Sequence, residues 1–408
     1  MIYRRSNLWK VATLLVVGIG ASWTAAETDL PETIGPYLQH PGTDRMTVCF
    51  LTRHAEYVEA HYQPTVGGQR RRVQPAAQAI DGTPWTVWKA ALTDLEPDTA
   101  YAYELVYRTS DRQGQTPSLR FRTLSEESET VKAAFFNDLH SRPDTLKALM
   151  EHVEPEDFEF SVLMGDCWQD PSSANGAEAV FAVLNDYIRL LKAGEKPMLY
   201  IRGNHEVRGT FAASMAFLFD LPMLDPTAAL GEQAHQFALT AGPIRLIALD
   251  TGEDFDKRAD LFEPMRRRQA GWLKRIGSTD HAATWQILAT HQPLYNNNIW
   301  YSEASRVLWE PMLTETEIDI ALAGHDHRWK HLPAGERFEV TLSREDAKRH
   351  IGTAGVFSLH VPWPILIGGG PAVDEATVML LSADKKTLQI RLLAAADGKT
   401  LTEITLNK

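Results

Sequence analysis

Two cysteines in 408 residues, Cys49 and Cys167, leave no material for a disulfide framework. A chain of this length can build its own core and needs none, even in an oxidising compartment. The two fall in segments of different character, so no bridge between them is expected. Cys167 reads as a small buried residue, although it directly follows Asp166. Positive charge is also short, with 41 Lys and Arg against 53 Asp and Glu, a formal net charge of −12. That excludes an extended nucleic-acid surface, which needs a basic face. The apolar run Val11 to Ala21 falls well short of the roughly 20 residues that cross a bilayer, so the mature protein is expected to have no transmembrane span. There is no internal repeat and no low-complexity segment. The hydrophobic share of 44% and charged share of 23% are those of a globular protein with a sizeable core. Its length allows roughly two domains.

The short apolar run fits an export signal. Arg4, Arg5 and Lys10 form a basic leading region, Val11 to Ala21 the apolar part, and Thr24-Ala25-Ala26 a small-residue cleavage site. Residues 1–26 are therefore expected to be a signal peptide, and the mature protein to be periplasmic or secreted from a bacterium. Arg4-Arg5-Ser6-Asn7-Leu8 loosely resembles a twin-arginine signal, with Asn7 where an aromatic is usual.

Residues 30–124 read as an all-β unit. Tyr101, Tyr103, Leu105 and Tyr107 alternate with Ala102, Glu104 and Val106, the two-residue period of a strand. Met46 to Leu51 is a short apolar run, and Phe121-Arg122-Thr123 suits a last strand. Leu95-Glu96-Pro97-Asp98-Thr99-Ala100-Tyr101 resembles the tyrosine corner of fibronectin type III domains. Ser125 to Thr130, polar and without period, reads as a linker. From Val131 short apolar runs alternate with helical segments. The runs are Ala133–Phe136, Phe160–Met164, Met198–Ile201, Leu246–Leu249, Trp285–Ala289 and Ile318–Leu322. The helical segments are Ala177–Leu191, Arg266–Ile276 and Ser302–Leu313. This is an α/β pattern with both sheet faces covered. It extends over 131–408, turning β-rich after Gly352, with Gly368-Gly369-Gly370 as a turn and strands over Thr377–Leu381 and Thr387–Leu393.

Five polar clusters sit where such strands end: Asp138-Leu139-His140, Gly165-Asp166, Gly203-Asn204-His205-Glu206, His291 and Gly324-His325-Asp326-His327. Functional residues of open α/β sheets gather beyond the carboxyl ends of strands, so all five project from one edge. Oxygen and imidazole donors without a thiolate suit two ions of the Mn, Fe or Zn kind. Two-metal sites mostly cleave phosphate esters. The other histidines, His40, His54, His61, His152, His235, His281, His331 and His350, read as structural.

The order Asp-x-His, Gly-Asp, Gly-Asn-His-Glu, His, Gly-His-x-His resembles that of calcineurin-like metallophosphoesterases. With the β-unit in front, the layout is similar to purple acid phosphatases. Two positions depart from them: Gln169 stands at the Tyr of their Gly-Asp-x-x-Tyr motif, and His140 has no counterpart in their first motif. A colourless or weakly coloured site is therefore expected. The resemblance implies an αββα two-sheet sandwich with a fibronectin type III-like domain before it. It also implies a first metal on Asp138, His140 and His327, a second on Asn204, His291 and His325, and Asp166 bridging both. Hydrolysis is expected by in-line attack of a metal-bound hydroxide, with His205 binding the phosphate or protonating the leaving oxygen. Export after folding would let such a protein load its metals first.

Glu206 or Asp326 either orients a histidine from outside or is, respectively, a solvated residue and a loop-stabilising one. Arg142, Trp168, Arg208, Tyr295, Asn296-Asn297-Asn298, His360 and Trp363 either line the cleft around a small phosphate ester or are surface charges, turn residues and packed aromatics. The competing reading is a cell-surface binding protein that uses the β-unit beside a catalytically silent α/β body. Inactive relatives would be expected to lose ligands, and here none is missing.

Overall fold

The computed structural model describes residues 30–172, 176–253, 261–277, 279, 281–296, 302–342 and 355–408. The expected signal segment 1–26 lies outside the described residues, as do Asn297, Asn298 and His350. Among the described residues no helix is long and apolar enough to cross a membrane.

Two six-stranded sheets form the centre of the α/β body. The first runs in the order Met198–Ile201, Phe160–Met164, Thr130–Phe136, Thr377–Asp384, Thr387–Ala394, Thr400–Asn407. The second runs Phe237–Ala241, Ile244–Leu249, Trp285–Thr290, Ile320–Ala323, Ile365–Ile367, Lys330–Leu332. The three first-named strands of sheet one are mutually parallel, as are the four middle strands of sheet two. Alternate residues of each strand face the other sheet. Val131, Ala133, Phe135, Val162 and Met379 from one meet Leu246, Ala248, Ile287, Ala289 and Leu322 from the other in a single buried cluster. Strands sandwiched this way are buried on both faces and lose polar alternation, which explains their continuous apolar runs.

Helices cover the outer faces. α1 (Pro143–Met150) and α2 (Ala177–Leu190) lie on sheet one; α3 (Glu263–Gly277) and α4 (Glu303–Glu315) lie on sheet two. In α2, Val180, Phe181, Leu184, Tyr187 and Ile188 recur at three- and four-residue spacing and are all buried, so one face of the helix is apolar. α1, which begins with Pro143 in its first turn, is too short for its period to be read from the sequence. The result is the expected αββα layering.

The N-terminal region is all-β. One sheet is Thr33–Gln39, Met46–Arg53, Trp85–Leu92, Ala76–Ala79; the other is Arg71–Val73, Tyr57–Pro64, Ala100–Arg108, Gln113–Gln115, with Leu119–Arg122 also paired to Ala100–Arg108. The Tyr101 hydroxyl accepts the Glu96 N–H at 2.9 Å, the contact its sequence context suggests. The segment after Leu124 is no free tether. Leu124 N–H donates to the Gly42 carbonyl at 3.0 Å and Gly242 N–H to the Ser125 carbonyl at 2.7 Å, so it is pinned on both sides. Both cysteines are free and buried.

Candidate metal centre

Every polar cluster is carried by the carboxyl end of a parallel strand. Asp138 follows Phe136, Asp166 follows Met164 and Asn204 follows Ile201 in sheet one; His291 follows Thr290 and His325 follows Ala323 in sheet two. The two sheets therefore deliver the candidate ligand atoms to a common edge. A buried ion pair ties the sheets there: Arg202, just before Gly203-Asn204, meets Asp250, just after Leu249, at 2.9 Å.

The backbone leaves the strands abruptly. Asp138, His140, Asp166, His325 and His327 all take positive φ, between 46° and 75°. Non-glycine residues rarely adopt that region, and strain of this kind persists only where the surroundings impose it. Here the loops impose it on each other. Asp138 N–H donates to the Gly165 carbonyl at 3.0 Å, His140 N–H to that of Asp166 at 2.8 Å and Ser141 N–H to that of Cys167 at 2.8 Å. Gly165 itself has φ +81°, and a Cβ there would lie 2.5 Å from the His291 ring, so no side chain is tolerated.

The expected ligands fall into two sets that share one atom. In the first, His140 Nε2 lies 3.0 Å from His327 Nε2 and 3.8 Å from both Asp138 Oδ1 and Asp166 Oδ2. His327 Nε2 is 3.3 Å from Asp138 Oδ1. In the second, His291 Nε2 lies 3.1 Å from Asp166 Oδ2 and 3.1 Å from Asn204 Oδ1, which is 3.0 Å from His325 Nδ1. These spacings match donors around one ion. With bonds of roughly 2.1 Å, donor–donor edges are about 3.0 Å in an octahedron and about 3.4 Å in a tetrahedron. Asp138 supplies an independent sign. Its Oδ2 accepts from Asn137 Nδ2 at 2.7 Å and the His325 N–H at 2.8 Å, while its Oδ1, equally buried, takes no hydrogen bond among the described residues. An orphaned buried carboxylate oxygen aimed at two imidazoles fits a cation.

The electrostatics agree. Burial opposes ionisation of Asp138, yet the neighbouring imidazoles of His140, His327 and His291 hold its carboxyl well below the usual range. Burial likewise opposes ionisation of Asp166, but the charge and hydrogen bond of His291 bring it down to about 2. His291 is the reciprocal case: burial lowers it, and the Asp166 and Asp138 carboxylates outweigh that and raise it to about 10. His325, part-buried and facing His291, is pushed down to about 4 by desolvation and by the His291 charge.

Other expectations need correction. Glu206 does not orient a histidine. Fully buried, it accepts the backbone N–H groups of Asp166 (2.9 Å), Gly203 (2.9 Å) and Trp168 (2.8 Å), bracing two ligand loops against each other. Burial and the neighbouring Asp166 charge push it up to about 7. Glu206→Gln places an N–H against these donors. It should cost roughly 2 kcal/mol, within the range for a buried donor left unpaired, read as a lower urea midpoint at unchanged slope. Asp326 instead binds Lys330 at 2.6 Å and Asn296. Trp168, Tyr295 and Trp363 are buried packing residues, and Asn296 is buried as well. Arg142 and His360 are exposed. Cys167 is fully buried, which raises its thiol well above the usual range, and its carbonyl accepts the Tyr187 hydroxyl at 2.8 Å.

Arg208 does face the site. Glu253 grips it through two hydrogen bonds of 3.1 and 2.7 Å, and its guanidinium lies 3.3 Å from His205 Nε2. His205 Nδ1 is 2.8 Å from Asp170 Oδ1, and its ring stands edge-on to His140 with centroids 4.6 Å apart.

Sequence reading missed four participants: Asn137, Asp170, Glu253 and the role of Gly368-Gly369-Gly370. The glycines are more than a turn. A Cβ at Gly370 would lie 2.5 Å from that of His327, and one at Gly368 would overlap the Asn137 amide. They form the wall against which His327 and Asn137 are set. A glycine run directly after an apolar strand, entering the same edge as the ligand clusters, was the available signal.

Residues 131–329 match the family model described as calcineurin-like phosphoesterase. Purple acid phosphatase 23 of Arabidopsis thaliana is 21% identical over 293 residues, 64% of this chain and 61% of that protein. Purple acid phosphatase 19 of the same plant is 26% identical over 141 residues, 34% of this chain and 28% of that one. The match thus spans less than two thirds of either relative. Among solved structures, a dimetal phosphatase from Danio rerio aligns with TM-score 0.44 and 13% identity, covering 68% of this chain and 98% of its own. By the family match, the segment from residue 131 to residue 329 belongs to the calcineurin-like phosphoesterases.

Proposed function

We propose that this chain is an exported two-metal phosphoric ester hydrolase acting on small phosphate mono- or diesters. The observation that carries the reading is the pair of donor sets meeting at Asp166 Oδ2. Asp138, His140 and His327 would hold one cation, Asn204, His291 and His325 the other, and Asp166 both. Their donors are oxygen and imidazole nitrogen, which suits Mn, Fe or Zn. When bound, the cations supply Lewis acidity and a water nucleophile usable at neutral pH.

The chain's own residues do the rest. His205 stands with Nε2 3.9 Å from Asp166 Oδ2, at the edge of the bridging carboxylate, where it donates to a phosphoryl oxygen or to the leaving oxygen. Asp170 Oδ1 lies 2.8 Å from its other nitrogen and accepts from it when the ring is protonated on both nitrogens, the form in which Nε2 also donates. Arg208, fixed by Glu253, adds positive charge for an anionic phosphoryl group.

Loading the chelator-stripped protein with Mn, Zn or Fe and assaying p-nitrophenyl phosphate beside bis-p-nitrophenyl phosphate tests this. Hydrolysis of at least one ester is expected with at least one metal, and inactivity on both with all three would sink the reading. Stripped protein should also bind its second cation with a pH slope. His291, raised to about 10, is protonated at pH 7 and must release that proton, whereas Asp166, at about 2, is already ionised. Affinity should therefore rise up to about tenfold per pH unit from pH 7 to 8.5. Calorimetry in buffers of different ionisation heat counts the released protons; a flat profile would contradict the assignment of His291.

A further inference from the structure

The side-chain amide of Gln169 has two ends of opposite hydrogen-bonding sense, and each meets a different histidine. Its Oε1 accepts from Nδ1 of His140, and its Nε2 lies 2.9 Å from Nδ1 of His205. Its backbone N–H donates to Ser141 Oγ at 2.9 Å, anchoring it between the Asp138 loop and the Asp166 loop. The orientation follows from the chemistry of His140. That ring turns Nε2 toward Asp138 Oδ1, Asp166 Oδ2 and His327 Nε2. A ring that offers Nε2 as a ligand carries its proton on Nδ1, and within this amide only the oxygen can accept that proton. The N–H end is then committed to His205.

We propose that Gln169 is a positioning residue that couples the first metal pocket to His205. Its oxygen sets the His140 ring for the cation, and its nitrogen holds the His205 ring beside the bridging carboxylate. The proposal rests on the two-metal reading above. One rigid planar group serves both rings, so movement of either is transmitted to the other. The backbone N–H of His205, bonded to Asp166 Oδ1 at 2.8 Å, fixes the main chain of His205 but leaves its ring to be oriented by side chains. Asp170 competes for the same nitrogen of that ring at 2.8 Å, and requires a proton on it where Gln169 requires a lone pair. Gln169 thus opposes Asp170 in deciding which face of the imidazole is a donor.

Two substitutions separate the halves of this role. Gln169→Ala removes both contacts. Gln169→Glu keeps an oxygen for His140 but has no hydrogen to give His205. Since Gln169 is exposed, both proteins should fold, with thermal midpoints near that of the parent. In Gln169→Ala, affinity for one of the two cations should fall roughly 10- to 100-fold. That loss is read as one cation per chain after dialysis against a chelator level that leaves the parent with two. Gln169→Glu should retain two cations yet lose at least about tenfold in kcat, with KM little changed. Two cations at parental affinity in Gln169→Ala, or parental kcat in Gln169→Glu, would overturn the proposal while leaving the two-metal reading intact. A parent protein that binds fewer than two cations overturns both.

Discussion

Asp166→Asn is expected to abolish most turnover and to leave the protein folded. The carboxylate is 1% exposed, and its Oδ2 is the one atom common to both donor sets, 3.1 Å from His291 Nε2 and 3.8 Å from His140 Nε2. A neutral amide cannot offset the repulsion between two cations held about 3.5–4 Å apart. Bound metal should fall below two per chain, and kcat/KM should fall by on the order of 10³, the upper range for losing one preorganised charge-stabilising group. The fold has reasons to survive. The other oxygen, Oδ1, accepts the His205 N–H at 2.8 Å, a contact the amide oxygen of Asn can keep. The loop is also braced by Glu206 through main-chain donors that the substitution does not touch. Metal analysis, steady-state kinetics and circular dichroism on one preparation check all three statements. An Asn variant that keeps two metals and parental turnover would show that Asp166 is not the bridge.

The contrast between Asp166 and Glu206 shows what the sequence made legible. Asp138, Asp166, Asn204, His291 and His325 are each readable because an apolar run ends just before them. A parallel sheet converts that local pattern into a shared edge. Glu206 is written in the same motif, but its function is to accept N–H groups from residues 38 and 40 positions earlier. Side-chain-to-backbone contacts at that distance leave no periodicity in the sequence. Gly370 has the same character: its lack of a Cβ is required by His327, on another loop. The strands Phe237–Ala241 and Thr400–Asn407 went unread for a different reason. Phe237–Ala241 alternates buried and half-buried residues over only five positions, and Thr400–Asn407 buries Ile404 alone; both lie at a sheet edge, where the apolar signal is weakest.

Trp85→Ala, far from the ligands, should be the most destabilising of these substitutions. Sequence reading separates the N-terminal β-unit from the α/β body, but their cores are continuous. Ile34, Tyr37, Cys49, Leu51, Trp85 and Val87 share one buried cluster with Phe181 and Leu184 of α2 and with Phe136 and Leu163 of sheet one. Trp85 is wholly buried, 5.5 Å from the Phe181 ring, with the Arg53 guanidinium 4.9 Å from its own ring centroid. Polar contacts cross the same boundary: Leu38 N–H to the Ala193 carbonyl at 2.8 Å, Tyr103 hydroxyl to that of Gly194 at 2.6 Å, and Thr47 hydroxyl to Asp220 at 2.7 Å. Truncating a buried Trp costs about 3–5 kcal/mol. For a body of this size that lowers the melting midpoint by about 4–6 °C. Because the cavity opens against α2, whose Tyr187 holds the Cys167 carbonyl beside Asp166, metal retention near the new midpoint should fall together with the fold. A single cooperative transition is the expected result, displaced as a whole. Two resolved transitions, with the metal-retaining one at its original temperature, would mean that the β-unit is an appendage. On the contacts described, it is the outer wall of the layer that holds α2 and the Asp166 loop in place.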